Sequence, residues 1–270
     1  MLESLQRLLQ ELGVLMLQWR SAGQTQGQWQ GTQLKAWADQ QAHAFLLRGL
    51  QEMTPGLPVI SEEGDTLQMG ERPQTYWLVD PIDGTASFCG GFDGFVTQVA
   101  LMQGAQPVLG VVYAPALGLC YSAQANGPAL CNGRMLTCNA VGNAAPRLID
   151  NYPEPRGLAR DIYGQLPCAG YVESGSLGLK ICRVADGSAD LFVKDVVVRD
   201  WDLAPAHVVL ARAGGVLTAW DGSALPYGGS FERQGLLAAT DAALAARVGQ
   251  WRQRRDNTPH EILPATSQKG

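Results

Sequence analysis

Between Tyr76 and Gln124 the chain falls into four short apolar runs, YWLVD, FVTQVALMQ, PVLGVVYAP and LGLCYSAQ, separated by Gly, Pro and Asn. The last three lie only a few residues apart, too close for the crossover helices that parallel neighbours need, so the pattern predicts an antiparallel meander. Asn132-Gly133 then supplies a strong hairpin turn. A chain committed to this meander must cover it with something, and the flanking segments have helical spacing. Leu2, Leu5, Leu8, Leu9, Leu12 and Met16 recur at helical intervals, and Glu3, Arg7 and Glu11 interrupt the run, so the start reads as an amphipathic helix of the fold and not as a signal peptide.

The Gln/Gly-rich stretch SAGQTQGQWQGTQ predicts a mobile loop or hairpin, and Leu34 to Leu50 a second helix with Ala38, Ala42, Phe45 and Leu46 as its buried face. From about residue 145 the texture alternates. RLIDN, ADLFVKDVVV, GVLTAW and GLLAAT are strand-like; Ser176 to Ala185, Asp202 to Ala213 and Asp241 to Arg254 are helical; Asp256 to Gly270 has the polarity of a frayed tail. The reading is therefore of two halves, an α+β half over residues 1–140 and a layered α/β half over residues 141–270.

Composition excludes several classes of partner. No run approaches the roughly 20 apolar residues of a membrane span. The net charge of −5 provides no basic footprint for a nucleic acid polymer. Six scattered cysteines, with no C-x-x-C pair and only three histidines, argue against zinc or a disulfide framework and for reduced thiols in a cytoplasm.

Four acidic places stand out: Glu62-Glu63 in VISEEGD, Asp80 and Asp83 in VDPIDGT, Asp202 in RDWDLAPA and Asp39 in KAWADQQ. Taken singly, each has an ordinary explanation as a solvated loop, a turn, a helix cap or a surface residue. VDPIDGT is harder to dismiss. Asp80 ends an apolar run and Pro81 interrupts it, which allows Asp80, the Ile82 carbonyl and Asp83 to face one point, as a hard cation such as Mg²⁺ requires. Gly84 and Thr85 begin a new element whose N–H groups can receive an anion. Cation ligands beside anion donors suit a phosphate ester.

In this order, SEE, D-P-I-D-G-T, W-D with an apolar helix and A-G-G, the chain resembles the metal-dependent phosphatases of the inositol monophosphatase superfamily, from the first helix to about Thr240. The resemblance implies a layered αβαβα sandwich. It implies Glu62, Asp80, Asp83, Asp202 and the Ile82 carbonyl as ligands of two or three Mg²⁺ ions, Asp83 with the Gly84 and Thr85 N–H groups at the phosphate, and inhibition by Li⁺. Thr85, oriented by Asp39 with Glu63 close by, resembles the family's general base for the attacking water. MTPGLPVISEEGD, YWLVDPIDGT and PVLGVVYAPALGLCYSA are similar to the 3′(2′),5′-bisphosphate nucleotidases, and Lys180 falls where those enzymes place a lysine near the second phosphate. ALCNGRML and Asp195 are similar instead to inositol monophosphatases, where an acid at that place binds sugar hydroxyls. Ala86-Ser87-Phe88 matches neither subfamily closely, the serine pair usual ahead of the nucleotidase lysine is absent, and Ala36 replaces the usual threonine three residues before Asp39; these departures bear on substrate choice, not on the proposed ligands. The balance favours a nucleotidase, with a phosphatase of inositol or another sugar phosphate as alternative and a catalytically silent metabolite-binding regulator as a further one. Its expected partner is a small phosphorylated metabolite; family members occur as monomers and as dimers, and both stay open.

Overall fold

The structure, a computed structural model, describes residues 1–30, 33–64 and 71–257. Helix α1 (Leu2–Ser21) forms as its spacing predicts, burying Leu5, Leu9, Leu12 and Met16 and placing Glu3 and Arg20 where the helix dipole favours each sign. Strands β1 (Gly27–Gln30) and β2 (Gln33–Ala36) pair antiparallel, so the Gln/Gly-rich stretch is a hairpin. Because β2 continues to Ala36, helix α2 (Trp37–Met53) begins later than the pattern from Leu34 predicts. Its buried face is the expected one, with Ala38, Ala42 and Leu46 inside and Phe45 at the edge.

Strands β3 (Val59–Ser61), β4 (Thr75–Asp83), β5 (Val96–Gln103), β6 (Gln106–Ala114), β7 (Leu119–Gln124), β8 (Leu130–Cys131) and β9 (Arg134–Met135) form one sheet in chain order, with helix α3 (Thr85–Gly90) between β4 and β5. From β4 onward every pairing is antiparallel, and Asn132-Gly133 turns β8 into β9. The meander pattern omits β3, which joins the edge parallel to β4 with Val59 opposite Trp77. Nor does β4 stop at Asp80: it crosses Pro81 to Asp83, with a shift of register between Asp80 and Asp83. A bulge is where a strand tolerates a proline, and it re-aims the side chains around it.

The second half comprises β10 (Arg147–Asp150), α4 (Gly157–Gln165), β11 (Gly170–Glu173), α5 (Leu177–Ala185), β12 (Leu191–Arg199), α6 (Asp200–Ala213), β13 (Val216–Thr218), β14 (Glu232–Ala239) and α7 (Ala242–Asn257). The sheet order is β11-β10-β12-β14-β13, with β14 antiparallel to both neighbours. The sequence reading contains neither α4 nor β11, because the prolines and glycines around them imitate loop punctuation. Most of the tail from Asp256 to Gly270 lies outside the described residues.

Helices α1 and α2 cover the outer face of the first sheet, α5 and α6 lie between the sheets, and α4 and α7 cover the outer face of the second. This is the αβαβα sandwich. A single apolar cluster runs through the middle, joining Tyr76, Val112 and Tyr121 to Leu179, Trp201 and Val209 and on to Phe192 and Leu236, so the two sheets and the helices between them share one core. Among the described residues no helix is long and apolar enough to cross a membrane, and all six cysteines are free thiols.

The halves meet backbone to backbone at Gly94 and Gly175. A Cβ on Gly175 would lie 2.0 Å from the Gly94 carbonyl oxygen, which already accepts the Ser176 N–H at 2.6 Å. Gly175→Ala is therefore expected to lower stability in urea unfolding by about 3 kcal/mol, the upper range for overpacking. A variant as stable as the parent would show that the junction gives way more easily than its geometry implies.

Candidate active site

Three chain segments converge at the carboxyl end of β4. Asp80 and Asp83 arrive on the bulged end of that strand; Glu62 follows β3, its N–H donating to the Val79 carbonyl; Asp202 enters on α6. One carboxylate oxygen from each of Glu62, Asp80 and Asp202 lies within 4.8 Å of the others. They line a cavity of about 750 Å³ together with Ile82, Asp83, Gly84 and Thr85. Gly84 makes the turn from β4 into α3 at φ 87°, a left-handed conformation that favours glycine.

Asp39 and Asp202 are placed by the same local device. Each is the third residue of its helix and accepts the N–H of the residue before that helix, Ala36 to Asp39 Oδ2 at 2.7 Å and Arg199 to Asp202 Oδ2 at 2.7 Å. This half of a capping box fixes the carboxylates without consuming their second oxygens. Asp39 Oδ1 accepts the Thr85 hydroxyl at 3.1 Å. The Ile82 carbonyl, also 3.1 Å from that hydroxyl, is its alternative acceptor, since one proton serves one acceptor at a time.

Not every expected residue faces the cluster. Asp83 lines the cavity, yet its carboxylate accepts the Leu177 and Gly178 N–H groups at the start of α5, at 3.2 and 2.7 Å. Glu63 accepts from Gln40 of α2 at 2.7 Å. Asp195 is exposed at the irregularity of β12, its carbonyl taking the Gln234 amide. Lys180 is buried behind the cavity, its ammonium held by Asn151 and the Gly175 carbonyl. Burial brings its pKa down to about 7, and its charge steadies the Asp83 carboxylate from the rear.

Electrostatics explain why such a cluster asks for a cation. Burial, then the charges of Glu62, Asp83 and Asp202, push the Asp80 carboxyl well above the ordinary carboxylate range. Asp202 is raised by burial and by Asp83 and Glu62, and Asp83 is raised by burial against the opposing pull of the α5 N–H groups. Asp80 Oδ1 is fully buried with no hydrogen-bond partner. An orphaned carboxylate oxygen among other acids fits a hard divalent ion bound through oxygen, as Mg²⁺ is.

The sequence reading missed Gln98, although one signal was there: a carboxamide in the middle of the apolar run FVTQVALM must find partners when buried. It is fully buried on β5, and its Nε2 reaches Asp83 Oδ2 at 3.2 Å and both Asp80 Oδ2 and the Asp202 carbonyl at 3.4 Å. Three acceptors around one amide nitrogen hold it donor-first between β4 and α6. Gln98→Met, similar in volume but without a donor, is expected to weaken Mg²⁺ binding in calorimetry by about 10–100-fold, the usual cost of losing a group that orients ligands. Unchanged Mg²⁺ affinity would make Gln98 a packing residue only.

The chain matches the model of the inositol monophosphatase family over residues 5–256. It is 36% identical over 196 residues to the 3′(2′),5′-bisphosphate nucleotidase CysQ of Escherichia coli (strain K12), covering 70% of this chain and 78% of that one. The CysQ of Buchnera aphidicola is 30% identical over 192 residues, covering 70% and 72%. Among solved structures, the Thermotoga maritima IMPase matches with a TM-score of 0.78 and 20% identity, over 92% of this chain and 95% of its own. SaIMPase-II bound to 2′AMP matches with a TM-score of 0.76 and 22% identity, over 92% and 91%. Matches at that identity speak for the fold, whereas the family model and the curated relatives speak for descent: the protein belongs to the inositol monophosphatase family and is a phosphatase.

Proposed function

We propose that the protein is a Mg²⁺-dependent phosphomonoesterase that removes the 3′(2′)-phosphate from a nucleoside 3′(2′),5′-bisphosphate. The observation that carries this reading is the convergence of the Glu62, Asp80 and Asp202 oxygens within 4.8 Å, in the same cavity as Thr85, whose hydroxyl touches Asp39. Glu62, Asp80, Asp83, Asp202 and the Ile82 carbonyl would hold two or three ions, which supply charge neutralisation at the phosphate and lower the pKa of a bound water. The chain's own part is to orient and to move a proton. With its hydrogen directed at Asp39, Thr85 Oγ1 accepts a proton from the attacking water as its own passes to Asp39 Oδ1. The Gly84 and Thr85 N–H groups hold the phosphate, and the departing nucleoside oxygen takes up a proton from solvent.

Two observations favour a nucleotide. The curated relatives carry the name of bisphosphate nucleotidases. Among the residues that line the cavity, Val196 and Val197 are each 53% exposed and offer the apolar surface on which a base can lie. The runner-up, inositol 1-phosphate or another sugar phosphate, draws support from Asp195, exposed beside Val196 and able to accept from sugar hydroxyls, and from SaIMPase-II, which is known bound to inositol monophosphate. A kcat/KM for 3′-phosphoadenosine 5′-phosphate at least about tenfold above that for inositol 1-phosphate is expected, a difference of about 1.4 kcal/mol. The opposite order would transfer the assignment to the sugar phosphate, and no phosphate release from either ester would point to a silent metabolite-binding relative.

A further inference from the structure

The cavity is acidic, and among the described residues that line it there is one cation, Arg199, in company with Glu62, Asp80, Asp83, Asp202 and Glu232. Resting on the nucleotidase reading, we propose that Arg199 binds the phosphate the substrate keeps, and so selects bisphosphates over monophosphates. Its position suits the task. Arg199 is the last residue of β12, and its N–H donates to Asp202 Oδ2 at 2.7 Å, which roots the residue beside the acid cluster. Its Nη2 lies 2.9 Å from Oε1 of Glu232 on β14, which also lines the cavity.

That ion pair is built for exchange. The Arg199 side chain is 26% exposed and that of Glu232 56% exposed, and ion pairs so open to water contribute little to stability. A guanidinium offers five donors in a planar fork that matches phosphate oxygens two at a time, so a dianionic phosphate competes well against one carboxylate. Lys180, the other cation considered for this role, would have to leave Asn151, the Gly175 carbonyl and its place 5.0 Å from the Phe192 ring centroid to reach the cavity. The metal-binding acids answer the phosphate that is cleaved; for the one that stays, the cavity wall provides Arg199.

The test compares the Mg²⁺-loaded parent, Arg199→Met, Arg199→Lys and Glu232→Gln on adenosine 3′,5′-bisphosphate and adenosine 3′-phosphate, together with calorimetric binding of the product AMP. In Arg199→Met the ratio of kcat/KM for bisphosphate over monophosphate should fall at least about tenfold and AMP binding weaken at least about tenfold, the scale of a lost charge-assisted hydrogen bond. Arg199→Lys should recover part of both, and Glu232→Gln, which frees the guanidinium, should tighten AMP. If Arg199→Met slows both esters equally, or keeps the parent's preference and AMP affinity, the assignment of Arg199 falls while the nucleotidase reading stands. A parent enzyme that does not cleave the bisphosphate overturns both.

Discussion

Asp80→Asn is expected to lower kcat/KM by at least about 1,000-fold, about 4 kcal/mol of transition-state stabilisation, and yet to raise the melting temperature of the Mg²⁺-free protein at neutral pH. Both effects come from one cause. Asp80 is fully buried among Glu62, Asp83 and Asp202, and one of its oxygens has no partner, so on the proposed reading its charge would serve a cation, and without one it opposes the fold. Burial and those neighbours raise its folded pKa above the ordinary 3.8, so its contribution to stability is fully present below that value and is lost as pH rises through the folded pKa. In chelator, the melting curves of parent and variant should therefore converge towards about pH 4 and separate towards neutrality, with about 2–4 °C for each kcal/mol. Mg²⁺ should reverse the order, since a ligand at 100 times its Kd adds about 2.7 kcal/mol to the parent. A variant that turned over normally, or that melted below the parent in chelator at neutral pH, would contradict this account.

The second large effect is expected at Asp39. Asp39→Asn should reduce kcat by about 10²–10⁴-fold, the range for losing general-base catalysis, while the protein still binds Mg²⁺. Asp39 accepts from the Ala36 N–H with one oxygen and from the Thr85 hydroxyl with the other, so an amide in its place either sets its NH2 against the Ala36 N–H or turns the Thr85 hydrogen away to the Ile82 carbonyl, and in neither case takes up a proton. Thr85→Ala should have a similar effect, Thr85→Ser should recover most of the rate, and the double variant should be little worse than the worse single one, because residues acting as one unit are not additive. Independent, multiplying losses would mean that the two side chains do separate jobs.

These effects were readable from the chain to different depths. VDPIDGT suggests a cation site because two acids and a carbonyl meet where a proline interrupts a strand, a short-range decision, whereas Glu62 of SEE and Asp202 of WD join that set only through the family resemblance. Gln98 gave only a weak signal, and nothing in its neighbourhood names Asp80, Asp83 and the Asp202 carbonyl as its partners, the last 104 positions away in the chain. Asp83 bonds to N–H groups 94 and 95 positions away, at the start of α5. A helical lysine such as Lys180 resembles a solvated one until the layer covering it is known.

By itself the sequence determined the period of most elements, the meander and the amphipathic first helix, since these follow from local steric preference and from which residues avoid water; the acids stood out as a set only through the family resemblance. Tertiary structure alone decided which oxygens meet, that β4 crosses Pro81, that Lys180 is buried and that Arg199 reaches the cavity. Those outcomes depend on how two sheets and the helices between them share one core, and on close contacts such as Gly94 against Gly175, where the spacing is set by atoms far apart in the chain.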